Sequence, residues 1–134
     1  MGRIRGRDTT PERVLRARLW QRGLRYRTHS RTLPGRPDIV FTRAKVVVFV
    51  DGCFWHGCPK HQVLPGTRRA FWERKLKGNV AHDRDANRIL RDQGWHVIRI
   101  WEHSIRRDSK GAADRVLYRI ANCRSKRLEA RLVE

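Results

Sequence analysis

The chain has 134 residues, enough to enclose one hydrophobic core without dividing into two domains, so a single domain over residues 1–134 is expected. Its 32 Lys and Arg against 13 Asp and Glu leave a formal charge of +19, a field that draws polyanions and points to nucleic acid as the partner. No stretch approaches the ~20 apolar residues needed to cross a bilayer, the first residues lack an apolar signal core, and three cysteines are an odd number for a disulfide framework; a cytoplasmic location with no membrane contact is expected.

In chain order, Asp8-Thr9-Thr10-Pro11-Glu12 opens a helix: Thr9 or Thr10 can cap it, Pro11 suits its first turn, and Glu12 is favourable at its positive end. Val14, Leu15, Leu19 and Trp20 then fall at helical spacing, and Gly23 stops the helix. After the rigid turn Leu33-Pro34-Gly35-Arg36-Pro37, the segment Asp38–Phe41 reads as a short strand. Val46–Val50 is a continuous β-branched and aromatic run, the kind of strand buried on both faces, and the short 42–45 connection makes the two strands neighbours. Arg69–Gln93 reads as one long helix or two abutting ones, weakened in its middle by Gly78. Trp95–Trp101 is a third strand and Asp114–Asn122 a final amphipathic helix. The order predicts an α/β (α+β) fold in which a small central mixed β-sheet is flanked by helices.

Asp38 and Asp51 stand at the ends of two strands read as neighbours, where their carboxylates can meet around one hard cation such as Mg²⁺. His56 follows five residues after Asp51, and an imidazole near neutrality is a suitable base for a water that attacks phosphorus. Cys53, Cys58 and His61 can converge from one tight loop on a soft tetrahedral ion, for which Zn²⁺ is the natural choice. Cys123 competes for the fourth place, although a half-buried free thiol in the last helix is the simpler reading of it.

Pro37-Asp38, the string Val50-Asp51-Gly52-Cys53-Phe54-Trp55-His56-Gly57-Cys58-Pro59, the segment Phe71-Trp72-Glu73-Arg74-Lys75-Leu76 with Asn79, and Gly94-Trp95-His96-Val97 with Trp101-Glu102 closely resemble the very-short-patch-repair (Vsr) mismatch endonucleases. The resemblance runs from about Ile4 to about Ile105. It implies the PD-(D/E)xK endonuclease fold with a structural zinc site, although no Lys follows Asp51 at the superfamily's usual spacing and some Vsr-type members carry His in place of Asp51. It implies catalytic Mg²⁺ on Asp38, on Asp51 and on the main-chain carbonyl of Val50, with His56 as base and Glu12 approaching the metal through water. A helix-dipole Glu without a chemical role is the alternative reading of Glu12.

The same resemblance completes a Cys2His2 zinc set with His103 and assigns Phe54, Trp55 and Trp72 to a wedge inserted beside a T·G mismatch. Lys75 and Asn79, four apart on one helical face, become groove readers. Periodicity alone would make Trp72 a core aromatic and the Lys75 and Asn79 pair a solvated face. The implied substrate is double-stranded DNA with a T·G mismatch, the lesion left by deamination of 5-methylcytosine. One strand would be nicked on the 5′ side of the T, in a nucleoid setting linked to a DNA cytosine methyltransferase and mismatch-repair proteins. The rivals are a nicking or restriction-type endonuclease of broader specificity and a zinc-bearing DNA-binding protein without catalysis.

Overall fold

The computed structural model describes residues 9–52 and 68–133, with side chains through Cys123. Helix α1 spans Thr10–Gln21 and begins as its sequence dictates: the Thr9 hydroxyl accepts from the Glu12 N–H at 3.4 Å, and Pro11 occupies the first turn. Gly23, at φ +86°, takes the left-handed turn that ends the helix. Leu15 and Leu19 are buried as expected, whereas Val14 and Trp20 are 39% and 51% exposed. The buried stripe runs along Glu12, Leu15 and Leu19, which puts both of them to the side of it. The Trp20 ring is covered instead by the Arg25 guanidinium, 3.5 Å from its centroid.

Four strands follow: β1 (Arg27–Thr28), β2 (Ile39–Phe41), β3 (Val46–Asp51) and, after helix α2 (Arg69–Asp92), β4 (His96–Trp101). The sheet order is β1-β2-β3-β4; β2 lies antiparallel to β1 and β3, while β3 and β4 are parallel, with Val46 opposite His96 and Asp51 opposite Trp101. This is the small mixed sheet flanked by helices that the sequence predicts. Two short elements carry no sequence signal of their own: β1, whose two residues are both exposed at the sheet edge, and α3 (Glu102–Arg107). The last helix, α4 (Ser109–Val133), is longer at both ends than the stretch its amphipathic pattern marks.

Both faces of the sheet are covered, which accounts for the unbroken apolar run of β3. On one face Ile39, Phe41, Val46, Val48, Ile98 and Ile100 pack against Leu15 and Leu19 of α1, Ile105 of α3 and Val116, Ile120 and Cys123 of α4. On the other, Val40, Val47, Phe49 and Val97 pack against Leu90 of α2. Helix α2 is continuous through Gly78; the packing of Leu76, Ala86 and Leu90 offsets the ~1 kcal/mol that an interior glycine costs. Gly35, at φ +74°, lets the turn before β2 approach closely: a Cβ there would lie 2.9 Å from the Ala86 Cβ and 3.2 Å from the Phe49 ring.

Candidate active site

The site is assembled where the start of β2 meets the start of α1. Asp38 is tied down on three sides. Its main-chain N–H donates to the Val48 carbonyl at 3.0 Å, its carbonyl accepts from the His29 N–H at 3.1 Å, and its Oδ2 accepts from the Val50 N–H at 2.7 Å. The rigid Pro37 precedes it and is buried, so neither backbone nor side chain has freedom to swing.

Glu12 comes to the same place from the first turn of α1 and is 1% exposed. Its Oε2 accepts from Arg16 Nη1 at 3.0 Å and from His29 Nε2 at 2.8 Å. One ligand atom from each of Glu12, His29 and Asp38 lies within 4.8 Å of the others. A buried carboxylate that costs several kcal/mol to desolvate is kept only where partners or a cation compensate it. Here the Arg16 guanidinium and the His29 ring both hold Glu12, while Asp38 stands beside the carboxylates of Glu12 and Asp51. Burial, the Glu12 carboxylate hydrogen-bonded beside it and the Asp51 charge push the Asp38 carboxyl up to about 8, against the opposing effect of the Val50 N–H.

Asp51 ends β3 and is buried, but on the α2 face, and its Oδ1 is held by Arg99 Nη1 at 2.9 Å. Arg99 also donates through Nε to Asn87 Oδ1 at 2.8 Å, lies 3.7 Å from Asp83, and stacks over the Phe49 ring at 4.0 Å. Asp51 therefore contributes a charge next to Asp38 while its own carboxylate is engaged by a cation. Val50, whose carbonyl the resemblance gives to the metal, is adjacent to Asp38 through its N–H.

The oxygen-rich cluster of Asp38 and Glu12 suits a hard divalent cation, and burial beside Glu12 raises the Asp38 carboxyl. Among the other expected site residues, Cys53, Phe54, Trp55, His56, Cys58 and His61 lie outside the described residues. His103 is in the first turn of α3, its ring stacked on Trp101 with centroids 6.4 Å apart. Cys123 is buried in the apolar cluster under α4. Trp72 is half-buried on α2 against the edge of Phe71, at 5.4 Å, outside the two apolar core clusters described above. Lys75 is exposed and Asn79 half-buried on the same helix.

Sequence reasoning missed His29 and Arg99. His29 lies in no periodic pattern and offers no signal. Arg99 does offer one: a charge in the middle of a strand read as buried requires a partner.

The family model described as DNA mismatch endonuclease Vsr matches residues 1–62. The chain is 44% identical over 117 residues to the type II nicking enzyme V.NaeI of Lentzea aerocolonigenes, covering 84% of this chain and 70% of that one. It is 41% identical over 108 residues to the DNA mismatch endonuclease Vsr of Escherichia coli strain K12, covering 79% and 69%. With the type II nicking enzyme V.XorIIP of Xanthomonas oryzae pv. oryzae it shares 41% identity over 104 residues, 76% of each chain. A mixed sheet carrying a close pair of carboxyl groups, in a chain with these relatives, defines a DNA endonuclease. The chain belongs to the Vsr family.

Proposed function

We propose that the chain, acting as one domain, is a Mg²⁺-dependent endonuclease that nicks one strand of double-stranded DNA on the 5′ side of the T in a T·G mismatch. The observation that carries this reading is the convergence of the buried Glu12 with the half-buried Asp38 within 4.8 Å, where burial and the neighbouring carboxylates raise Asp38 to about 8. Asp38 and the Val50 carbonyl would hold Mg²⁺ directly, with Glu12, and Asp51 next to Arg99, completing the acidic surround. Bound there, the ion would supply charge neutralisation for the phosphate and a lowered pKa for water. His56 takes the proton from the attacking water, and the bond between phosphorus and the leaving oxygen breaks as the new one forms.

Phe54, Trp55 and Trp72 would enter the stack beside the mismatch, where a T·G pair costs less to unstack than a matched one. Lys75 and Asn79 would read the groove, and the surplus of +19 would supply attraction to phosphates. Cys53, Cys58, His61 and His103 are a soft donor set of the kind that closes a structural zinc site. T·G substrates arise from 5-methylcytosine, which ties the activity to a DNA cytosine methyltransferase and to mismatch repair in a cytoplasmic, nucleoid-associated setting. Several relatives bear the name type II nicking enzyme, which supports a second reading: a nicking enzyme with a wider choice of mismatch or sequence context.

The test is a nicking assay on matched and T·G duplexes across flanking sequences, with Mg²⁺ and with EDTA. Cleavage confined to one strand of T·G duplexes and lost in EDTA is the expected result. Equal nicking of matched duplexes would overturn mismatch specificity, and nicking in EDTA would overturn the role of the metal.

A further inference from the structure

His29 is outside every motif that the resemblance covers, yet it touches both carboxyl-bearing residues of the site. Through its ring it meets Glu12 Oε2 at 2.8 Å, and through its main-chain N–H it holds the Asp38 carbonyl at 3.1 Å. A carboxylate oxygen only accepts, so Nε2 is the donor in the ring contact. The ring is half-buried, and the residue sits at φ +50°, a conformation that ordinary side chains adopt at a cost. That backbone setting is what allows the N–H to serve Asp38 while the ring turns back to Glu12.

We infer that His29 is a positioning residue of the cation site, which fixes the Glu12 carboxylate against Asp38 so that both face one divalent ion. The inference rests on the reading of Asp38 and Glu12 as the acidic part of that site. Arg16 grips the same Oε2 at 3.0 Å from the next turn of α1, but a contact four residues away on one helix cannot fix the position of α1 relative to β2. His29 can, because it follows β1, which is paired to β2 through Thr28 opposite Ile39. Groups that orient a ligand in this way typically alter metal affinity by about tenfold or more when removed.

The experiment titrates Mn²⁺ alone into the whole 134-residue chain, freed of Mg²⁺ with its zinc retained, following the EPR signal of the free ion, for wild type, His29→Leu, His29→Asn, His29→Gln and Asp38→Ala. The Gln amide reaches about as far as Nε2; Leu has no donor and Asn is too short. Asn tolerates the left-handed backbone, so it serves if the Leu variant does not fold. The expected result is that Leu and Asn weaken Mn²⁺ binding by about tenfold while Gln stays within about threefold of wild type. In nicking assays the Leu and Asn variants should need correspondingly more Mg²⁺, with kcat recovered at saturation. Binding at wild-type strength by Leu and Asn, or an equal loss in Gln and Leu, would overturn the positioning role while Asp38→Ala still loses the ion. Wild-type Mn²⁺ binding by Asp38→Ala would overturn the underlying cation site and the inference with it.

Discussion

The N–H of Val50 donates to Asp38 Oδ2 at 2.7 Å, so the carboxylate that opens β2 is clamped by the strand that leads to Asp51. This bond favours the ionised carboxyl, yet burial and the carboxylates of Glu12 and Asp51 outweigh it and raise Asp38 to about 8.

The first prediction follows from the sign of that shift. Below the ordinary value of 3.8 the Asp38 carboxyl is protonated in folded and unfolded chains alike; between 3.8 and about 8 the folded chain holds the proton more tightly. In that window this group makes the Mg²⁺-free protein less stable as pH rises. A divalent cation competes with the proton, so Mg²⁺ affinity should climb toward about tenfold per pH unit until about pH 8 and then level off. Asp38→Asn should abolish nicking and raise the melting temperature of the Mg²⁺-free protein, its zinc retained, at pH 8.5, with little effect near pH 4. Calorimetric titration of Mg²⁺ and thermal melts across pH check both arms; a pH-independent affinity would show that Asp38 does not lose a proton to the ion.

The second concerns Asp51 and Arg99, both largely buried. Arg99→Leu leaves the Asp51 carboxylate without its cation and should cost about 3–5 kcal/mol of folding stability. Asp51→Asn in the same chain should recover a large part of that loss, because a neutral amide needs no counter-charge. Denaturant unfolding of the two single variants and the double one measures the coupling.

The third separates the candidate zinc ligands. His103→Ala is expected to lower zinc content and melting temperature together, since a structural zinc contributes folding free energy directly. Cys123 is buried among Val116 and Ile120, so Cys123→Ala should cost about 1 kcal/mol of packing and leave the zinc stoichiometry unchanged. Elemental analysis beside thermal melts decides; loss of zinc in the Cys123 variant would make that thiol the ligand.

The fourth concerns Trp72, which the fold leaves half-buried on α2. Trp72→Ala should remove stacking of ~1–3 kcal/mol and reduce the ratio of T·G to matched cleavage by roughly five- to hundredfold. Measured at fixed salt, an equal fall in both rates would make Trp72 a support for the helix and not a wedge.

The local elements were legible because each rests on chemistry confined to a few neighbouring residues. Thr9, Pro11 and Glu12 announce a helix start, Gly23 its end, and the β-branched run of β3 a strand covered on both faces. Asp38 and Asp51 were likewise legible as strand-end acids, and the charge of +19 as attraction for a polyanion. Spacing along the chain does not encode which acids share a face. Alternation along β3 turns Asp51 toward α2 and into the grip of Arg99, 48 residues away, while the packing of α1 on the opposite face brings Glu12 to Asp38 and to His29. Those partners come from separate elements of the fold, and only the tertiary arrangement, by removing water from between them, turns separate charges into one coupled site.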